Sequence, residues 1–130
     1  MFGKGVYFAD ASSKSANYCC TSPSSPEGLL TLSEVALGDC YELKKSNSNL
    51  PRGKPADKLS VKGVGRTFPD PKGTVTMTDG VKVPCGEIAE QYGIKSELIY
   101  NEFIVYNAAQ VKSRFLLRVK FNYQSSGRDR

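Results

Sequence analysis

The stretches LIYNEFIVY (residues 98–106) and FLLRVKFNY (residues 115–123) are the most β-prone parts of the chain and decide its fold class. Aromatic and branched side chains dominate both stretches, and such side chains favour strands. In the second stretch, Arg118, Lys120 and Asn122 alternate with apolar residues, which predicts a strand with one solvated and one buried face. Residues 107–110 connect the two strands.

Further strands are predicted upstream at residues 6–9, 29–37 and 41–43. Two glycines precede the first of these strands and indicate that its start is tightly packed. The pair Asp79-Gly80 lies between two β-prone triplets and predicts a hairpin.

One short helix is predicted over residues 13–20, with N-cap candidates from Asp10 to Ser12. Residues 44–71 are polar and rich in Gly, Pro, Ser and Lys, so they predict a long loop. The expected fold is therefore α+β and mostly β, with antiparallel sheets and one short helix near the start.

Length and composition exclude several classes of protein. The chain has 130 residues, enough for one domain or part of one, which we expect to span residues 1–124 with a disordered tail at 125–130. It contains no histidine, which excludes Ser-His and Cys-His catalysis and histidine-containing metal sites. The four cysteines form no C-x-x-C pair, so no metal and no disulfide framework are expected, and a reducing compartment is the default. No apolar run spans a bilayer, so we expect no membrane partner.

A first candidate site lies in the strand–helix unit near the start of the chain. On a helix, Lys14, Ser15 and Tyr18 share roughly one face, and Tyr7 on the preceding strand is expected to face them. Two tyrosines, a hydroxyl and a cation around one concavity suit a flat, polar aromatic ligand. From spacing alone, the simpler interpretation is that Tyr7 and Tyr18 are core aromatics and Lys14 is solvated.

A second candidate is the segment YNEFIVY, residues 100–106. The strand period of two places Tyr100, Glu102, Ile104 and Tyr106 on one face, so Glu102 is a carboxylate among apolar and aromatic neighbours. Such surroundings are typical of carboxylates that take part in chemistry. The alternative is a glutamate in water on an edge strand.

A third candidate is basic. The chain carries a net charge of +5, with cationic clusters in the expected loop (Arg52, Lys54, Lys58, Lys62 and Arg66) and near the last strand (Lys112, Arg114, Arg118 and Lys120). These clusters suit phosphate binding, but no aromatic stacking platform accompanies the loop cluster, which favours a solubilising surface.

Several motifs, in order and over nearly the whole chain, resemble the poly(ADP-ribose) polymerase catalytic domain. The resemblance is closest to the nuclear, DNA-damage-responsive branch of that family and supersedes the simpler interpretations of the two aromatic sites. The motifs are MFGKGVYFAD (1–10), SKSANYC (13–19), SEVALG (33–38), SVKGVGR (60–66), PDP (69–71), VP (83–84) and YNEFIVY (100–106), with the ending from Gln110-Val111 to Phe121-Asn122.

Carried over by position, the resemblance implies an NAD+-dependent ADP-ribosyltransferase. Tyr7 and Tyr18 would sandwich the nicotinamide ring, Ser15 would hydrogen-bond its carboxamide, and Ala9 would pack beside it. Lys14 would belong to the catalytic surroundings. Glu102 would be the catalytic glutamate that contacts the nicotinamide ribose and supports chain elongation.

The family's catalytic triad includes a histidine, and this chain has none. The resemblance therefore implies the C-terminal portion of a catalytic domain, incomplete at its N-terminal side and weak or inactive alone. It implies NAD+, acceptor proteins, poly(ADP-ribose) and the upstream half of the domain as partners. DNA would be bound by modules absent from this chain. The expected location of the protein is the nucleus, or alternatively the cytoplasm. Other functions left open are mono-ADP-ribosylation and a non-catalytic basic module that binds nucleic acid or poly(ADP-ribose).

Overall fold

The computed structural model describes residues 1–124; the tail predicted at residues 125–130 lies outside the described residues. Strands predominate, which confirms the α+β, mostly β class. No helix within residues 1–124 has the length and apolar character needed to cross a bilayer. The elements in chain order are β1 (Val6–Phe8), α1 (Ser12–Ala16), β2 (Glu27–Val35), β3 (Cys40–Leu43), β4 (Ser60–Gly63), β5 (Thr67–Pro69), β6 (Thr74–Thr76), β7 (Lys82–Pro84), β8 (Ile88–Glu90), β9 (Glu102–Val105) and β10 (Val111–Lys120).

A four-stranded sheet in the order β1-β9-β4-β3 forms the centre of the fold. Strand β9 pairs antiparallel with β1 on one side and with β4 on the other, so Ile104 lies opposite both Tyr7 and Val61. Strands β3 and β4 pair in parallel, which departs from the antiparallel arrangement expected. The parallel pair forms because residues 44–59 cross over from the end of β3 to the start of β4, whereas a tight turn would reverse the chain.

The hydrophobic core packs against one face of this sheet. Phe2, Val61 and Ile104 have no exposed surface, and Leu50 and Leu98 complete the cluster. Burial of each such side chain stabilises the fold by about 1.5–3 kcal/mol. Side chains two residues apart on a strand share a face. Because Ile104 lies in the core, its position determines which other side chains of β1 and β9 lie on that same face.

Strands β2 and β10 form a separate two-stranded sheet, which we call the apolar ribbon. Phe115 lies opposite Leu32 and Leu117 opposite Leu30, so one face is continuously apolar. The exposed fractions are 62% for Phe115, 52% for Leu32 and 43% for Leu117. The predicted alternation is confirmed at residues 118–122, where Val119 and Phe121 are half-buried and Arg118, Lys120 and Asn122 are exposed, although Tyr123 is exposed as well. Upstream of Arg118, the apolar side chains of β10 stay exposed within residues 1–124.

The long loop predicted over residues 44–71 is wrong in part, because it contains β4 and β5. The hairpin prediction is confirmed: β6 and β7 pair antiparallel around Asp79-Gly80. Gly80 has φ +86°, a conformation that only glycine adopts without strain. The Asp79 carboxylate accepts a hydrogen bond from the Val81 N–H at 3.2 Å and so closes the turn.

Helix α1 is shorter than the eight residues predicted. Its N-cap is Ala11, which has no side chain that caps, so none of the expected side-chain caps is used. Beyond Ala16 the chain continues in tighter turns, with the Tyr18 N–H bound to the Ser15 carbonyl and the Cys19 N–H to the Ala16 carbonyl, each at 3.0 Å. Three-residue turns of this kind end an α-helix while keeping the chain coiled.

Candidate active site

The six side chains singled out in the sequence lie along three adjoining segments. Tyr7 is in β1 and Ala9 directly follows it, Lys14 and Ser15 are in α1, and Tyr18 is in the turn after α1. Glu102 is the first residue of β9, the strand that pairs with β1. Strand pairing thus brings a carboxylate from late in the chain to the strand and helix at its start.

The register of β1 against β9 sets the relation of Tyr7 to Glu102. Tyr7 lies opposite Ile104, and Glu102 is two residues before Ile104 on the same face of the sheet. Diagonal neighbours of this kind are about 7–8 Å apart. The Tyr7 hydroxyl donates to the Gly3 carbonyl at 2.7 Å and accepts from the Phe2 N–H at 3.0 Å, so the ring is anchored at its far end.

Helix α1 and its closing turn hold Ser15 beside Tyr18. The Lys14 N–H donates to the Ala11 carbonyl and the Tyr18 N–H to the Ser15 carbonyl, so the segment is coiled throughout. Ser15 is half-buried, whereas the Tyr18 side chain is 71% exposed. A shared face for Lys14, Ser15 and Tyr18, as predicted, requires a chain that stays coiled in this way.

An ion pair joins α1 to β9. The Lys14 Nζ lies 2.9 Å from Glu102 Oε1, with 21% of the lysine side chain and 6% of the glutamate side chain exposed. The hydrogen bond to Glu102 raises the pKa of Lys14, against an opposing effect of burial. The same ammonium lies 5.6 Å from the centre of the Tyr18 ring, within the range of a cation–π contact. Lys14 therefore links the carboxylate to the aromatic side chain.

The second oxygen of Glu102 has no hydrogen-bond partner within residues 1–124, although it is buried. Buried polar atoms without partners are costly, by about 1–3 kcal/mol each, and are uncommon in folded proteins. A carboxylate with one oxygen fixed by a cation and the other unbound is suited to accept a hydrogen bond from a ligand hydroxyl.

Two further side chains, Asp10 and Asn101, lie beside this constellation and were not singled out in the sequence. The Asn101 amide donates to Asp10 Oδ2 at 2.9 Å and accepts from the Gly65 N–H at 2.9 Å. Burial raises the pKa of Asp10, although its hydrogen bond to Asn101 acts in the opposite direction. The signal in the sequence that could have identified them is their position, since Asp10 lies just after β1 and Asn101 directly before Glu102.

The constellation is open on one side. The Tyr7 side chain is 41% exposed and Tyr18 more so, and neither lines either of the two cavities described. One cavity, of about 620 Å³, is lined mainly by polar side chains near Lys44 and Lys95. The other, of about 350 Å³, is lined in part by Asp10 and Asn101 but not by Glu102. Within residues 1–124, the aromatic side chains therefore form a wall and not an enclosed pocket.

Two of the basic residues of the expected loop have partners close by. Lys62 is in β4, where it lies 3.6 Å from Glu42 and over the Phe103 ring. The Lys54 ammonium donates to the backbone carbonyls of Pro55 and Lys58. The ammonium groups of Lys62 and Lys54 are therefore both engaged by neighbouring groups of the chain. Near the last strand, Arg114 pairs with Glu34 at 3.2 Å.

No group of three or more His, Cys, Asp or Glu side chains in the described part of the chain is arranged to hold a metal ion.

Comparison with known proteins gives a consistent result. A family model described as the poly(ADP-ribose) polymerase catalytic domain matches residues 1–121. The chain is 55% identical over 129 residues to poly(ADP-ribose) polymerase 1 of Gallus gallus, covering 97% of this chain and 12% of that protein. It is 54% identical over 127 residues to poly(ADP-ribose) polymerase 2 of Arabidopsis thaliana, covering 95% of this chain and 19% of that protein. For poly(ADP-ribose) polymerase 1 of Danio rerio, the identity is 52% over 128 residues. The chain thus spans between 12% and 19% of the length of these relatives.

Proposed function

The chain belongs to the poly(ADP-ribose) polymerase catalytic-domain family, and on that premise we propose that the protein carrying it transfers ADP-ribose from NAD+ to protein side chains and to growing poly(ADP-ribose), releasing nicotinamide. The observation that carries the proposal is the Lys14–Glu102 ion pair, which joins the carboxylate to the helix that precedes Tyr18. The family accounts for the reaction class and for the roles assigned below, and the geometry of this contact supports the role given to Glu102.

In the proposed complex, the nicotinamide ring of NAD+ stacks between Tyr7 and Tyr18. This ring is a planar cation, and tyrosine faces attract such a cation by about 1–2 kcal/mol when it is desolvated. The exposed Tyr18 ring and the partly exposed Tyr7 ring, anchored through its hydroxyl, support this role. Ser15 binds the carboxamide, and Ala9 packs beside the ring.

Stacking alone does not accelerate cleavage, because the attraction weakens as the ring loses its charge. The bond that breaks joins the ribose C1′ to the ring nitrogen, and its electron pair goes to that nitrogen and neutralises the pyridinium. The ribose carbon becomes oxocarbenium-like, and the Glu102 carboxylate stabilises that charge through the ribose hydroxyls. Lys14 fixes Glu102 Oε1, and Oε2 remains available to the sugar.

The acceptor oxygen then forms the new bond to C1′ and loses its proton. In elongation the acceptor is a hydroxyl of the previous ADP-ribose. The Glu102 carboxylate acts as the base that polarises this hydroxyl and takes up its proton. A glutamate at this position, where an apolar residue would offer no such help, favours polymer over single-unit transfer. The mono-transferring alternative predicts a product of one ADP-ribose per acceptor.

We further propose that residues outside this chain complete the site. The open side of the aromatic wall and the exposed face of the apolar ribbon, with Phe115 62% and Leu32 52% exposed, support a second layer that covers them. This layer would be the upstream half of the catalytic domain, which also supplies the histidine of the family. The isolated chain would then bind NAD+ weakly and catalyse little. We propose action in the nucleus, in response to DNA breaks detected by other modules.

The test uses the full-length protein with NAD+ labelled in the adenylate and broken DNA as activator. We expect label to enter protein as a ladder of high mass, with equimolar release of nicotinamide. A single-step mass increase would support mono-transfer, and no labelling would contradict the transferase proposal. The isolated chain is the control for completeness: transfer at the rate of the full-length protein would show that no other residues are needed.

A further inference from the structure

We propose that Asp10 and Asn101 are positioning residues for this reaction: their hydrogen bond ties the start of α1 to the start of β9 and so holds Lys14 within reach of Glu102. The inference rests on the proposed function, since the reaction is the one that Glu102 serves. It assigns no contact with substrate to either residue.

Asn101 is a junction of three segments. It is 6% exposed, its amide nitrogen donates to Asp10 Oδ2 at 2.9 Å, and its amide oxygen accepts from the Gly65 N–H at 2.9 Å. Both ends of the amide are therefore occupied, which fixes its orientation. A side chain at position 65 would collide with the backbone of Tyr100 and Asn101, so glycine allows the approach that this bond requires.

Two successive residues at the start of β9 contact the segment that contains α1. Asn101 binds Asp10, and Glu102 binds Lys14. Ala11 is extended, so Asp10 lies before the helix and Lys14 within it, and the two contacts hold the segment at its entry and in its body. Loss of the first contact leaves the ion pair without this support.

Helix α1 needs such an attachment. It has five residues, its N-cap Ala11 provides no side-chain cap, and no residue within the helix is buried. A helix this short is not stable by itself, because the cost of nucleation exceeds the gain of its few hydrogen bonds. Tertiary contacts at its start therefore determine where Lys14 points.

Asp10 is held in place despite an unfavourable environment. Its Oδ1 is buried without a partner in the described part of the chain, and burial raises its pKa. Among the charged groups, Lys62 faces it from β4. Asp10 and Asn101 face the cavity of about 350 Å³, which Glu102 does not line.

The test compares four variants of the full-length protein: Asp10→Ala, Asp10→Asn, Lys14→Met and the double variant Asp10→Ala with Lys14→Met. Asp79→Ala is the control, because the Asp79 carboxylate likewise accepts one hydrogen bond, in its case from the Val81 N–H, but lies in the β6–β7 turn. We expect Asp10→Ala to lower kcat and kcat/KM together by about tenfold, as for loss of one charge-assisted hydrogen bond. Asp10→Asn keeps an oxygen acceptor for Asn101 and should restore most of the rate. Asp79→Ala should leave the rate unchanged.

The double variant distinguishes positioning from a general loss of stability. If Asp10 acts through Lys14, the two effects are not additive, and Asp10→Ala lowers kcat by less than about twofold in the Lys14→Met background. Full additivity would overturn the proposal, as would an unchanged kcat in Asp10→Ala.

A structural measurement keeps this inference separate from the proposed function. In a crystal structure of the Asp10→Ala protein, we expect the Lys14–Glu102 distance to become heterogeneous or to exceed about 4 Å, the usual limit of an ion pair. Asp10→Asn keeps the acceptor for Asn101 and should keep the ion pair near 2.9 Å. If Asp10→Ala does not fold, Asp10→Ser, which removes the carboxylate but keeps a polar side chain, takes its place. An ion pair unchanged at 2.9 Å in the variant without the carboxylate would refute the positioning role, whether or not the protein transfers ADP-ribose.

Discussion

In the Glu102→Gln variant, a carboxylate that faces Lys14 becomes a neutral amide of the same size. The ion pair at 2.9 Å becomes an uncharged contact, and the amide nitrogen can occupy the buried position where Oε2 has no partner. The change therefore removes one charge and leaves the packing around β9 in place. It separates the electrostatic role of Glu102 from its volume.

The structure allows the two consequences to be compared. A hydrogen bond to a charged group contributes about 1.5–3 kcal/mol to stability, and the partial exposure of Lys14 favours the lower end of that range. A domain stable by about 5–15 kcal/mol stays folded after such a loss. Removing one preorganised electrostatic group from a reaction centre costs about 100–1000-fold in rate. The effect on catalysis therefore exceeds any effect through unfolding.

The assay measures nicotinamide release and product length in the full-length protein with broken DNA. We expect Glu102→Gln to release nicotinamide at least about 100-fold more slowly and to make short products or none. The control is Glu42→Gln, which neutralises the glutamate of a more exposed Lys–Glu pair on the same sheet, 3.6 Å from Lys62. Polymer of unchanged length and amount from Glu102→Gln would refute the role of this carboxylate.

Three further predictions concern the core, a half-buried tyrosine and the aromatic wall. Phe2→Ala removes a side chain with no exposed surface and should destabilise this unit by about 3–5 kcal/mol, seen as faster hydrogen exchange of the β9 amides; Met1→Ala at the exposed neighbour should not. Burial, with a smaller effect of Tyr7, raises the pKa of Tyr106 to about 12. The folded state therefore keeps a proton that the unfolded state loses near pH 10, so this contribution to stability is present below about pH 10 and is lost as the pH rises towards 12. Tyr106→Phe should flatten that fall in urea denaturation measured across this pH range, and an equally steep fall would contradict the assignment. Tyr18→Ala should raise the KM for NAD+ about tenfold, as expected for one lost cation–π contact, whereas Tyr92→Ala, at a tyrosine that is 88% exposed, should leave it unchanged.

The fold class was accessible from the sequence where periodicity is regular and local. Alternation in β10 and the Asp79-Gly80 turn each predict their element without knowledge of any partner. Strand β4 was missed because its four residues include Ser60, Lys62 and Gly63, which carry no strand pattern. Its pairing with β3 and β9 creates the strand, and those partners are distant in the sequence. Helix α1 was predicted too long because the chain tightens after Ala16 into three-residue turns.

The candidate site was predictable only in part. The strand period places Glu102 on the face of Ile104, and the helical spacing groups Lys14, Ser15 and Tyr18. The register that brings β1 beside β9 was not predictable from either pattern, and it creates the Lys14–Glu102 ion pair. The individual roles came from the family resemblance and stay predictions. Asn101 entered the sequence analysis only as a member of the segment YNEFIVY, because nothing in the sequence indicates that its amide joins two other segments.

The pairing of β1 with β9 also constrains the order of events during synthesis. Within residues 1–124, β1 pairs with one strand, β9, about a hundred residues later in the chain, and β2 likewise pairs with the late strand β10. Closing such long loops slows folding, since the entropy is lost before the contacts form. Until residue 105 has left the ribosome, Tyr7 and Lys14 are therefore present without the Glu102 carboxylate beside them. A premature stop anywhere before that residue abolishes the site, however much of the sequence has been made.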